Sequence, residues 1–84
     1  MSEQPNAGRR VVQYRVAFGK NDEVVDGPDG ADLVITIPAG DAGLEPSVAY
    51  MQGKLKAAGH TGVLFDVLRN GEAAAAISRL ASRP

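Results

Sequence analysis

Residues 32–38 read Asp-Leu-Val-Ile-Thr-Ile-Pro, and this segment restricts the fold more than any other. Side chains of a strand alternate between faces, so Leu33, Ile35 and Ile37 fall on one side and Val34 and Thr36 on the other. Neither side carries a charge, which places the strand inside a sheet rather than at a wet edge. Pro38 has no N–H to give to a ladder and marks the strand's end.

The rest of the chain supplies partners and cover for that strand. Val12, Tyr14, Val16 and Phe18 share one face of an earlier strand, with Gln13, Arg15 and Ala17 on a largely wet face. Gly19-Lys20-Asn21-Asp22 is a turn signal before a short strand around Glu23 to Val25, which predicts an antiparallel hairpin. Gly27-Pro28-Asp29-Gly30 is a second, denser turn. Glu45-Pro46-Ser47 predicts a helix running to about Gln52, proline being tolerated where its missing N–H would have no partner. Gly53 ends that helix, and Lys54 to Ala58 reads as a short strand with Leu55 and Ala57 on one face and Lys54 and Lys56 on the other. Thr61 is the expected N-cap of the next helix, whose stripe is Val63, Leu64, Val67 and Leu68, with Asn70-Gly71 as its stop. A last helix from about Glu72 to Ser82 sets Ala73, Ala76, Ile77 and Leu80 at helical spacing. The expected architecture is α+β, a mostly antiparallel sheet of about four to five strands covered by two to three helices. Residues 1–9, polar and broken by Pro5 and Gly8, read as a flexible tail, and residues 10–84 as one domain.

Composition removes several functions. Nine basic and ten acidic side chains nearly cancel and are scattered, so no global field recruits nucleic acid or an anionic membrane. The absence of cysteine excludes disulfides, thiolate catalysis and cysteine-ligated zinc, and fits a reducing cytoplasm. No apolar run approaches the roughly 20 residues of a membrane span, and Met1 to Gly8 lacks the pattern of a signal peptide. Richness in Ala, Gly, Arg and Asp with few lysines is compatible with a GC-rich bacterial genome.

Catalytic, cofactor and metal motifs are not found. An enzyme's site would have to draw on Asp32, Tyr50, His60 and Asp66, yet no spacing matches a nucleophile elbow, a metal pair or a phosphate loop. Gly27-x-x-Gly30 does not open a helix, and Ser47 and Ser78 lack a neighbouring base. His60 reads as a surface turn residue. Lys54 and Lys56 read as a solvated strand face that discourages edge pairing, with contact to a lipid headgroup as the sharper alternative.

Ala31-Asp32-Leu33-Val34-Ile35-Thr36-Ile37, Pro46 to Tyr50, Met51-Gln52-Gly53-Lys54-Leu55-Lys56 and Gly59 together carry a likeness. Over roughly residues 10 to 68 the chain resembles the sterol carrier protein type 2 family of sterol- and lipid-binding domains. The resemblance implies a sheet covered by helices with an apolar tunnel between them for sterols, fatty acids or acyl chains, and no catalysis by the domain itself. Carried over by position, it makes Val48, Met51, Leu55, Val63, Leu64, Val67 and Leu68 the ligand-lining residues; Met51 and Phe65 read as adaptable contacts, methionine filling irregular space, or equally as ordinary packing.

Domains of that family usually open with a long helix, whereas only about ten residues precede the first strand here. Either the alanine-rich last helix or a second subunit must then cover the sheet, and a symmetric homodimer, with exchange of that helix as one route, is the expectation. Two other classes remain open: a protein–protein module without a ligand cavity, and a pocket enzyme acting on an apolar intermediate through His60 and Asp66.

Overall fold

The computed structural model describes residues 11–82; the tail expected over residues 1–9 lies outside them. Strands β1 (Val12–Gly19) and β2 (Asp22–Asp26) form the expected hairpin, and β3 (Leu33–Pro38) is internal, as its two apolar faces require. Strand β4 (Lys56–Gly59) closes the sheet in the order β2-β1-β3-β4. Both outer pairs are antiparallel, but β1 and β3 run parallel, with Val12 beside Leu33 and Val16 beside Ile37. The parallel pair follows from the hairpin. Strand β2 ends beside the start of β1, where Asp26 faces Tyr14. A short loop then crosses that end, so the strand that begins there must run with β1.

One face of the sheet is the core. Tyr14, Val16, Leu33, Ile35 and Ile37 point into it and are almost wholly buried. Helices α2 (Thr61–Arg69) and α3 (Glu72–Ala81) lie over this face, α3 against β1 and β2, α2 against β3, and the two also touch each other. All four residues expected on the inner side of the alanine-rich helix, Ala73, Ala76, Ile77 and Leu80, are buried. That helix therefore covers the β1–β2 half of its own chain's sheet, with alanine allowing a close approach. The short helix α1 (Pro46–Met51) has Pro46 and Ala49 buried, and the Glu45 carboxylate accepts from the Val48 N–H at 3.2 Å as its N-cap.

Two local expectations change. The N-cap of α2 is His60 rather than Thr61: its Nδ1 accepts from the Val63 N–H at 3.4 Å, because the helix starts one residue earlier than the cap preference alone suggests. Gln13, expected on a wet face, is 2% exposed. The β2–β3 loop folds back over it, and its Nε2 donates to the Gly27 and Pro28 carbonyls and to Asp29 Oδ1 at 3.2 to 3.3 Å. Its Oε1 accepts from Arg15 Nε at 2.8 Å, so the buried amide is satisfied on both sides. Gly27 permits this closeness, since a Cβ there would stand 2.9 Å from Gln13 Cα at a φ of +114°.

Candidate functional site

Helices α1 and α2 each carry a second stripe beside the one that faces the core. Ser47, Tyr50 and Met51 on α1, and Phe65, Leu68 and Arg69 on α2, repeat the same i, i+3, i+4 spacing, which brings each trio onto one helical face. The six residues line an open groove of about 390 Å³ whose surface is mostly apolar. Large apolar side chains stand exposed there: Met51 is 75% accessible, Phe65 51% and Tyr50 37%. Val48, one turn before Met51, is exposed as well. A cluster of this kind on so small a domain marks an interaction site more often than scattered single residues do.

Two exposed ion pairs involve residues on or near these helices. Arg69 donates to Asp66 Oδ1 at 2.8 Å along α2, and the Lys54 ammonium lies 4.0 Å from Asp41 Oδ1. Both pairs are exposed and add little to stability; of these residues only Arg69 lines the groove.

Of the seven residues expected to line a ligand site, the structure places Met51 and Leu68 in this groove, while Val48 is exposed on α1 outside its lining. Leu55, Val63, Leu64 and Val67 are core residues beneath α2, each under 7% exposed. Tyr50 and Phe65 join the groove in addition. Their signal was the second stripe on each helix, legible as spacing.

A second cleft, of about 360 Å³, lies between the start of β1 and α3 and is lined by Val12, Tyr14, Asp26, Glu72 and Arg79 among others. The Tyr14 hydroxyl donates to Glu72 Oε2 at 3.2 Å, and Arg79 pairs with Asp26. Burial, then the carboxylates of Glu72 and Asp26, push the Tyr14 hydroxyl well above its ordinary pKa, while Arg79 opposes them. The consequence for stability has a definite sign. A folded-state pKa raised above the unfolded value of about 10 leaves this contribution intact below that value and loses it as pH climbs beyond. Urea midpoints recorded between pH 8.5 and 11 are expected to fall at the alkaline end, and Tyr14→Phe to flatten that fall. An equal decline in the variant would show that Tyr14 is not its source.

Three of the four groups from which an enzyme would be built hold structural positions, and the fourth, Tyr50, stands exposed in the groove. His60 Nδ1 caps α2, Asp66 pairs with Arg69, and Asp32 Oδ2 accepts from the Val11 N–H at 2.9 Å where β1 begins. Among the described residues no group of three or more His, Cys, Asp or Glu side chains is placed to hold a metal ion, and no helix is long and apolar enough to cross a membrane.

No family model and no curated protein matches the chain. Among solved structures, the chain is similar to the solution structure of the sterol carrier protein domain 2 of Helicoverpa armigera, with 27% identity and a TM-score of 0.51. The likeness spans 80% of this chain and 70% of that one. This likeness, on a chain whose four-stranded sheet is covered by helices, gives it a sterol carrier protein type 2-like fold.

Proposed function

We propose that this chain binds and carries a hydrophobic small molecule, a sterol, fatty acid or acyl chain, without catalysing a reaction on it. The groove between α1 and α2 is the place where such a ligand docks. One observation carries this reading: on a fold similar to that of a sterol carrier domain, Met51, Phe65 and Tyr50 stand exposed around one apolar groove. Its volume falls within the 300 to 1,000 Å³ range of ligand pockets. Ligand contacts come from Met51, Leu68, Tyr50 and Phe65. Leu55, Val63, Leu64 and Val67 form the packed floor, which a larger ligand reaches only if α1 moves outward. The lack of cysteine fits a cytoplasmic carrier.

Titration of delipidated protein with a fluorescent fatty acid is expected to saturate. Phe65→Asp is expected to weaken binding about tenfold or more, because the apolar surface of one phenylalanine contributes about 1.5 to 3 kcal/mol when buried. The variant's urea midpoint should stay close to the parent's, as Phe65 is half exposed. No saturable binding by the parent would sink the reading. The same exposed side chains favour a second reading, a homodimeric interaction module with no ligand, which light scattering at graded concentrations separates from the first.

A further inference from the structure

We propose that Asn70-Gly71 is a site of self-modification: the Asn70 side chain condenses with the Gly71 backbone nitrogen, loses ammonia and is hydrolysed to isoaspartate or aspartate, at a rate set by how firmly Glu72 holds the start of α3. This goes beyond the ligand reading and does not depend on it.

Of the asparagines in the chain, only Asn70 precedes a glycine. The Gly71 nitrogen gives up its proton and attacks Asn70 Cγ; the N–Cγ bond forms, the Cγ–Nδ2 bond breaks, and ammonia leaves behind a cyclic imide. Water then opens the imide. Breaking the N–Cγ bond gives aspartate, and breaking the original peptide bond gives isoaspartate, in which the main chain runs through Cγ. A side chain on the attacking residue would obstruct the approach. Gly71 has none, and nothing lies within 4 Å of where its Cβ would stand. Both residues are exposed, so water reaches the ring.

The folded chain restrains this step. Asn70 has a ψ of 1°, which turns the Gly71 nitrogen toward the residue's own N–H and away from Cβ, so the backbone must rotate there before the ring can close. Asn70 Oδ1 accepts from the Glu72 N–H at 2.8 Å, a bond that this rotation breaks. The Glu72 carboxylate in turn accepts from the Tyr14 hydroxyl at 3.2 Å, and Tyr14 is 4% exposed on β1. The first turn of α3 is thus tied to the sheet through Glu72, and local opening of that turn gates the reaction. The two products then differ in effect. Aspartate keeps an oxygen for the Glu72 N–H and sets its charge before the N-terminus of α3, where the helix dipole favours it. Isoaspartate adds a carbon to a link of only two residues and takes the acceptor from Glu72. It thereby loosens the helix whose Ala73, Ala76, Ile77 and Leu80 cover the sheet.

The test ages the full chain at mildly alkaline pH and body temperature beside a free peptide of residues 66–75, and reads the tryptic fragment 70–79 by mass spectrometry. The expected result is exchange of one amide NH2 for OH in that fragment, about tenfold or more slower in the folded chain than in the peptide, with isoaspartate detected by enzymatic methylation. Tyr14→Phe frees the Glu72 carboxylate and should speed the exchange about threefold or more. Ile35→Val lowers stability by about as much from within the sheet and should leave the rate unchanged. Asn70→Ser keeps an acceptor for the Glu72 N–H but cannot form the imide, so its urea midpoint should hold through ageing while the parent's falls. No exchange in the folded chain over many lifetimes of the peptide, exchange equally fast in both, equal acceleration by Ile35→Val, or an aged parent whose midpoint holds as that of Asn70→Ser does would each overturn the inference.

Discussion

Gly59→Ala is expected to cost about 3 kcal/mol or more, a large share of the 4 to 12 kcal/mol that a domain of this size has in total. Two independent costs combine. The residue's φ is +126°, a region that side-chain-bearing residues occupy at a cost of about 1 to 3 kcal/mol. A Cβ would also run into the Asp32 carbonyl oxygen and stand 3.0 Å from Leu33 Cα, both of them backbone atoms. Neither can give way: the Asp32 carbonyl accepts from the His60 N–H at 2.9 Å, and Leu33 is 1% exposed at the start of a central strand. Urea unfolding should show a midpoint lower by about 1 M or more. Gly40→Ala is the control, since nothing lies within 4 Å of a Cβ there and its φ is not positive. If the two variants unfold together, β4 does not approach β3 as described. The same close approach sets where α2 leaves the sheet, so Gly59 also fixes one wall of the groove.

Leu64 and Phe65 are neighbours on α2 for which opposite results are expected. Leu64 is 2% exposed, within the core. Leu64→Ala removes buried methyl groups and leaves a cavity, at a cost of about 2 to 5 kcal/mol in stability. Phe65 is 51% exposed at the groove. Phe65→Ala should move stability by less than about 1 kcal/mol while weakening fatty acid binding about tenfold. Measuring both quantities for both variants separates core from contact surface. A Phe65→Ala protein that loses stability as Leu64→Ala does would mean that its ring packs inside rather than lining a groove.

How far the sequence could be read depended on whether a residue's surroundings are local. Leu33, Ile35 and Ile37 announce a buried strand face because alternation is a property of neighbouring residues, and Val63, Leu64 and Val67 announce a helix core face by their spacing. The parallel pairing of β1 with β3 is not local: it depends on which side of β1 the chain crosses after β2, and no residue of either strand encodes that choice. Gln13 shows the same limit. Alternation placed it correctly opposite Tyr14, but its burial comes from a loop 14 to 16 residues later that returns to cover it. Tyr50 and Phe65 show the converse. Their positions on α1 and α2 could be read, but whether another element covers them is known only once the elements are placed, and none among the described residues does.

Helix α2 is held at both ends. Gly59 pins its entry against β3, and at its exit only Asn70 and Gly71 separate it from α3, with Asn70 Oδ1 accepting from the Glu72 N–H at 2.8 Å. Helix α1 is six residues long, buries only Pro46 and Ala49, and lies between loops on either side. So short a helix has little stability of its own, and a segment with few buried contacts opens at low cost. The groove thus has one wall seated on the sheet and one held by few buried contacts, so that under the proposed ligand binding α1, not α2, is the wall expected to yield to a larger ligand.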